Sequence, residues 1–120
     1  MGFLRLLPQI SVPTNKPRGS DERFQAEEFV GQLKTRLAEM QRDLAEHEQL
    51  VVVAFLPSGQ AISIEVVGYA NPALVLLDGR EQGSGKACTL LAHQSTIQVL
   101  VSIESIPSGY QRRAVTFEAR

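Results

Sequence analysis

The sequence predicts a mainly β chain with one N-terminal helix, its strands closing into a small five-stranded antiparallel barrel. Three observations carry this. Apolar residues recur every three and four positions between residues 21 and 50. From Leu50 onward they alternate every second residue. Turn signals then divide the β-rich stretch into five short runs. Length sets the scale: 120 residues and 13.2 kDa make one domain with appendages. Apolar residues at 43% are enough for a core, and with no Trp that core is aliphatic. A TIM barrel and a two-domain dehydrogenase are too large for this chain.

The organisation divides into an arm over 1–20, an amphipathic helix over 21–50, a β-barrel over 51–106 and a basic tail over 107–120. Residues 8–20, PQISVPTNKPRGS, hold three prolines and a glycine, which excludes regular structure. Ser20 suits a helix N-cap, and Asp21 and Glu22 complement the positive end of the helix dipole. The stripe Val30, Leu33, Leu37, Met40, Leu44 has the spacing of a coiled-coil seam. Two readings stay open: an intersubunit contact, or one helix lying on its own domain. A helix over 21–50 would extend about 45 Å, while a barrel of this size is only about 25 Å across. The stripe is therefore expected to be an oligomer interface, with the chain a homo-oligomer.

The strands are expected at Leu50–Leu56, Ala61–Tyr69, Ala73–Leu77, Ala87–Ala92 and Thr96–Glu104. Pro57-Ser58-Gly59-Gln60 and Ala70-Asn71-Pro72 are turns, and Pro107-Ser108-Gly109 ends the last strand. Gly68 is read as a bend or bulge, and Asp78–Gly85, with three glycines, as a loop. Ile62, Ile64, Val66, Leu76, Val99 and Val101 are the expected core of the barrel.

Charge argues against a strong nucleic-acid binder. The net charge of −1 divides into +3 over residues 1–20, −4 over 21–50, −2 over 51–106 and +2 over 107–120. No basic face is concentrated enough for tight phosphate binding, though basic ends can touch RNA or an acidic partner. One Cys excludes a disulfide framework and a multi-Cys zinc site, and suits a reducing, cytoplasmic compartment. Phe3–Leu7 is too short for a signal segment, and no apolar run could span a membrane.

No catalytic set assembles. The segment LVLLDGREQGSGKACTLL imitates a phosphate-binding loop, but Arg80 stands where the first glycine belongs and Ala87 cannot ligate Mg²⁺. Cys88 and His93 are an odd number of residues apart, which puts them on opposite faces of a strand. The expectation is a non-enzymatic protein with no cofactor and no metal.

The stretch VVVAFLPSGQAISIEVVGYANPALVLLDG, followed by LLAHQSTIQVLVSIE, resembles the Sm-like (SH3-like barrel) family, and within it the bacterial RNA chaperone Hfq. Val51, Val53 and Phe55 lead to Gly59, Tyr69 matches the aromatic at the second bend, and Leu76-Leu77 match the paired leucines. His93 and Ile97 match the second segment, and the likeness covers about 55 of 120 residues. Departures are Ile64 for a glycine, Ala92 for the lysine before the histidine, and Leu91 for an aromatic. The resemblance implies an oligomeric ring joined through strands four and five, and weak RNA contact. Tyr69, His93, Arg112 and Arg113 are the expected RNA contacts. The alternative is a small barrel, dimerised by its helix, that serves as a protein–protein interaction module without nucleic acid.

Overall fold

The structure is a computed structural model, and it describes residues 21–118. The arm over 1–20, the Ser20 cap and the C-terminal Arg120 lie outside that range. The described chain enters through a 3-10 turn, Glu22–Phe24, capped by Asp21, whose carboxylate accepts the Arg23 N–H at 3.0 Å. Helix α1 then runs Gln25–Arg42 without a side-chain cap of its own. Its first free N–H groups are met from across the molecule. The Pro72 carbonyl accepts from Ala26 N–H at 2.8 Å. The Asn71 side-chain oxygen accepts from Glu27 N–H at 3.3 Å, and its amide returns a bond to the Glu27 carboxylate at 3.1 Å.

The helix stops at Arg42, short of the expected residue 50. Asp43 is a poor helix former, and its N–H and that of Leu44 bond back to Met40 and Gln41 in a tightened last turn. The Glu48 carboxylate then accepts the Ala45 N–H at 2.9 Å. From Glu48 the backbone is claimed by a strand pairing 57 residues away, Glu48↔Ser105. At 18 residues the helix is about 27 Å long. It does not overrun the sheet, so the length argument for an intersubunit seam fails.

Six strands follow: β1 Glu48–Phe55, β2 Ala61–Ala70, β3 Leu74–Glu81, β4 Ala87–His93, β5 Gln98–Ser105 and a short β6 Thr116–Phe117. The order is β4-β3-β2-β1-β5, all antiparallel, with β6 parallel beside β2. The expected five strands are present, but the sheet is not closed into a barrel, because β4 and β5 are its two ends and do not pair. It does curl. Four strand spacings would separate flat edges by about 19 Å, while the connector through the 3-10 turn Gln94–Thr96 spans only about 13 Å.

The concave face carries the core. Val52 and Ala54 of β1, Ile64 and Val67 of β2, and Val75 and Leu77 of β3 meet Ala26, Val30 and Leu37 of α1. Each large aliphatic side chain so buried stabilises by about 1.5–3 kcal/mol. Val30 and Leu37 are therefore intramolecular contacts. Leu33 packs at the margin of the same cluster, Met40 is exposed, and Leu44 lies half-buried beyond the helix.

The alternation along β2 slips at a point that the apolar pattern does not mark. A bulge falls between Ile64 and Val66, not at Gly68, which pairs in register with Leu76. After the bulge Val67 takes the buried position and Val66 is only half-buried. Of the expected core, Ile62 and Ile64 are buried, while Leu76, Val99 and Val101 are half-buried. β3 also runs farther than expected, through Gly79 to Glu81. A Cβ on Gly79 would run into the Ser63 carbonyl, so this glycine permits a close backbone approach beside the bulge.

The largest departure is the tail. β1 and β2 pair only over Val53–Phe55 with Ala61–Ser63 and then splay apart. The C-terminal segment lies in the opening as a strap. Val115 and Phe117 pack against the core, and Thr116 and Phe117 pair with Val66 and Val67. Two of the basic residues expected in a solvated tail, Arg112 and Arg113, therefore sit in an ordered element.

Candidate functional site

Three regions offer chemistry: the two sheet edges, the outer face where β1 and β2 splay, and the underside of the strap. The expected RNA contacts do not converge on one of them. Tyr69 is half-buried, opposite Val75, and packs against the core. Arg112 donates to the backbone carbonyls of Glu48 at 2.8 Å and Ala45 at 2.7 Å, clipping the strap to the turn after α1. Arg113 is exposed, and its N–H donates to the Gln49 side chain at 2.9 Å.

His93 is exposed at the end of β4, where it caps the 3-10 turn. Its Nδ1 accepts from Ser95 N–H at 3.1 Å and lies 2.8 Å from Ser95 Oγ. An accepting Nδ1 leaves the neutral ring's proton on Nε2. Cys88 is half-buried and falls on the other face of β4, as the odd spacing requires. The two do not form a nucleophile–base pair.

The glycine-rich segment is a hairpin turn. Gly85 N–H bonds to the Glu81 carbonyl at 2.9 Å and Lys86 N–H to Ser84 Oγ at 3.1 Å. These two donors are engaged within the turn itself and do not face a phosphate. Among the described residues, no group of three or more His, Cys, Asp or Glu is placed to hold a metal ion.

The outer face has a wide depression of about 790 Å³ whose walls mix Glu65, Glu104, Arg80 and Arg113. Arg80 pairs with Glu65 at 3.4 Å, and Gln49 bonds Glu104 at 3.2 Å. Its charges balance internally, so it presents no single-signed field to a ligand.

The edges are different in kind. β4, ACTLLAH, carries no Asp, Glu, Lys, Arg or Pro along its length, and β5, QVLVSIES, carries only Glu104. Leu91 is 57% exposed on β4, and Leu100 and Ile103 are 54% and 55% exposed on β5. Soluble proteins ordinarily blunt such edges with charge, proline or cover. Among the described residues, no helix is long and apolar enough to cross a membrane.

Sequence reasoning missed the strap and the groove beneath it. The alternation Val115-x-Phe117 was the available signal, hidden among arginines. Comparison with known proteins adds no relative: no family model, no curated protein and no solved structure matches the chain.

Proposed function

We propose that this chain is a non-enzymatic, Sm-like subunit that assembles with copies of itself, edge strand to edge strand. One observation carries the reading. The order β4-β3-β2-β1-β5 leaves two antiparallel edges, each uncharged for most of its length and each bearing a large exposed aliphatic side chain. Pairing β4 of one copy with β5 of the next would satisfy both rows of backbone groups and cover Leu91 and Leu100 together. The Sm-like resemblance names the same two strands. Weak RNA contact belongs to the same reading: His93, Arg112 and Arg113 are exposed, and of these Arg112 is already engaged with the carbonyls of Ala45 and Glu48. The helix-dimerised module is less well supported, since Val30 and Leu37 already face the chain's own sheet.

Light scattering of the full chain tests the assembly. A multiple of 13.2 kDa is expected for the native sequence. Leu91→Asp and Leu100→Asp are expected to reduce that mass while keeping the native circular dichroism, because both side chains are exposed within one copy. A monomeric native chain, or an unchanged mass for both variants, refutes edge pairing. Absorbance at 260 and 280 nm of the purified native protein reads out bound RNA in the same preparation.

A further inference from the structure

Lys34, Leu37, Ala38 and Gln41 share one face of α1, at the spacing of side-chain neighbours on a helix. Between that face and the strap's Val115 and Phe117 lies a groove of about 260 Å³, floored by Leu50 and Val52. Its wall is almost wholly hydrocarbon. Lys34 is the one charged side chain lining it, and among the described residues its ammonium has no hydrogen-bond or ion-pair partner. Ala38 leaves the space open at an exposed helix position where a longer side chain would fill it.

We propose that this groove binds a small amphiphilic anion, its apolar body against Leu37, Leu50, Val52 and Phe117 and its charged head on the Lys34 ammonium. Size and charge select this occupant together. A groove of about 260 Å³ with an almost wholly hydrocarbon wall accommodates a short alkyl chain, and the one cation lining it suits an anionic head. Burying the chain removes apolar surface of ligand and groove from water. The head group answers an unpaired cation at the rim. The site is formed by α1, β1 and the strap, not by β4 or β5, so it stands or falls independently of edge pairing.

Calorimetric titration of the full chain with octanoate, octyl sulfate, octanol and octylamine tests this. Octanoate and octyl sulfate are expected to bind saturably at one per chain, with a Kd on the order of 1 mM, the scale for about ten heavy atoms. Octanol should bind about two- to fivefold more weakly, the worth of one exposed ion pair, and octylamine more weakly still. A preference for octanoate over octyl sulfate, or the reverse, identifies the head group. Lys34→Gln should bring octanoate down to octanol without changing octanol. Ala38→Leu should abolish binding of all four with the native circular dichroism retained, and Gln41→Phe provides a second filled groove. Absence of saturable binding overturns the proposal, as does octanoate binding indifferent to Lys34→Gln or to both filled variants. A groove that takes no octanoate, but whose filling by Ala38→Leu changes the solution mass, belongs to a second copy of the chain, which also overturns it.

Discussion

Leu37→Ala separates the two readings of the helical stripe. Leu37 is 8% exposed and belongs to the cluster joining α1 to the concave face of the sheet. Truncation to Ala in such a site costs about 2–5 kcal/mol, rising with the cavity left behind. Leu37 also lines the groove beneath the strap, so the vacated space is continuous with that groove and open to repacking and water. The expected cost is therefore in the lower half of the range, about 2–3 kcal/mol. For a domain of this size that is a fall in Tm of about 10–20 °C. Chemical denaturation and calorimetry measure both quantities. An intramolecular contact gives the same difference between native and variant over about a hundredfold range of protein concentration, whereas an intersubunit contact makes it concentration-dependent. Leu37→Asp, which an intersubunit seam would answer by dissociation, should unfold the chain because its carboxylate would be buried without a partner. A loss below about 1 kcal/mol, or a loss that vanishes on dilution, refutes this placement of the stripe.

Two glycines should respond in opposite directions. Gly79→Ala drives a Cβ into the Ser63 carbonyl and should cost about 3 kcal/mol, the upper end for overpacking; a neutral melt would refute the close approach. Gly31→Ala, with open space around it in α1, should gain about 0.5–1 kcal/mol in the same melt. Arg112→Ala frees the carbonyls of Ala45 and Glu48 and should cost roughly 1 kcal/mol at this exposed site. Amide exchange at Thr116–Glu118 should accelerate, Arg112→Lys should not restore the two-carbonyl clip, and unchanged exchange would mean the strap is held without the clip, by its packing and its pairing with β2. The Arg23 side chain, and then its backbone N–H, hold the Asp21 carboxyl below its ordinary value of 3.8. A depressed folded value means the cap's contribution is present above the unfolded value and lost as pH falls through the folded one. The Arg23 amide resonance should titrate with a midpoint below 3.8, and a midpoint at or above it contradicts the cap.

What the sequence made legible was local, and what it hid was decided at a distance. The stripe Val30, Leu33, Leu37 marks a helix because its period is set by neighbours three and four residues away. The five main strands are legible from alternation and turns for the same reason. The end of α1 is not, since His47–Leu50 continue an acceptable helical pattern until β5 claims them through Leu50↔Ile103. The bulge near Glu65 is hidden because one inserted residue exchanges inside for outside without altering composition, which is how Val66 and Val67 change places. Gly79 reads as loop punctuation when only its side-chain volume matters. The groove combines residues from α1, β1 and the strap, and no spacing along the chain brings Lys34, Leu50 and Phe117 together.

The edges bear on what kind of assembly this chain can build. β4 and β5 differ in sequence and sit at opposite ends of the sheet, so pairing one with the other is heterologous. An open run of copies then keeps one unused β4 and one unused β5, one at each end, and growth ends only when the first copy meets the last. Pairing β4 with β4 would instead stop at two copies and leave both β5 edges, with Leu100 and Ile103, uncovered. A curled sheet favours the first arrangement. Its edges are drawn toward one another by the short Gln94–Thr96 connector without meeting, so successive copies joined edge to edge turn through a fixed angle rather than extend in a plane. In a β4–β5 assembly that angle would set the subunit number. A dimer in solution would point to β4–β4 or β5–β5 contact, and a larger discrete mass would point to closure through both edges.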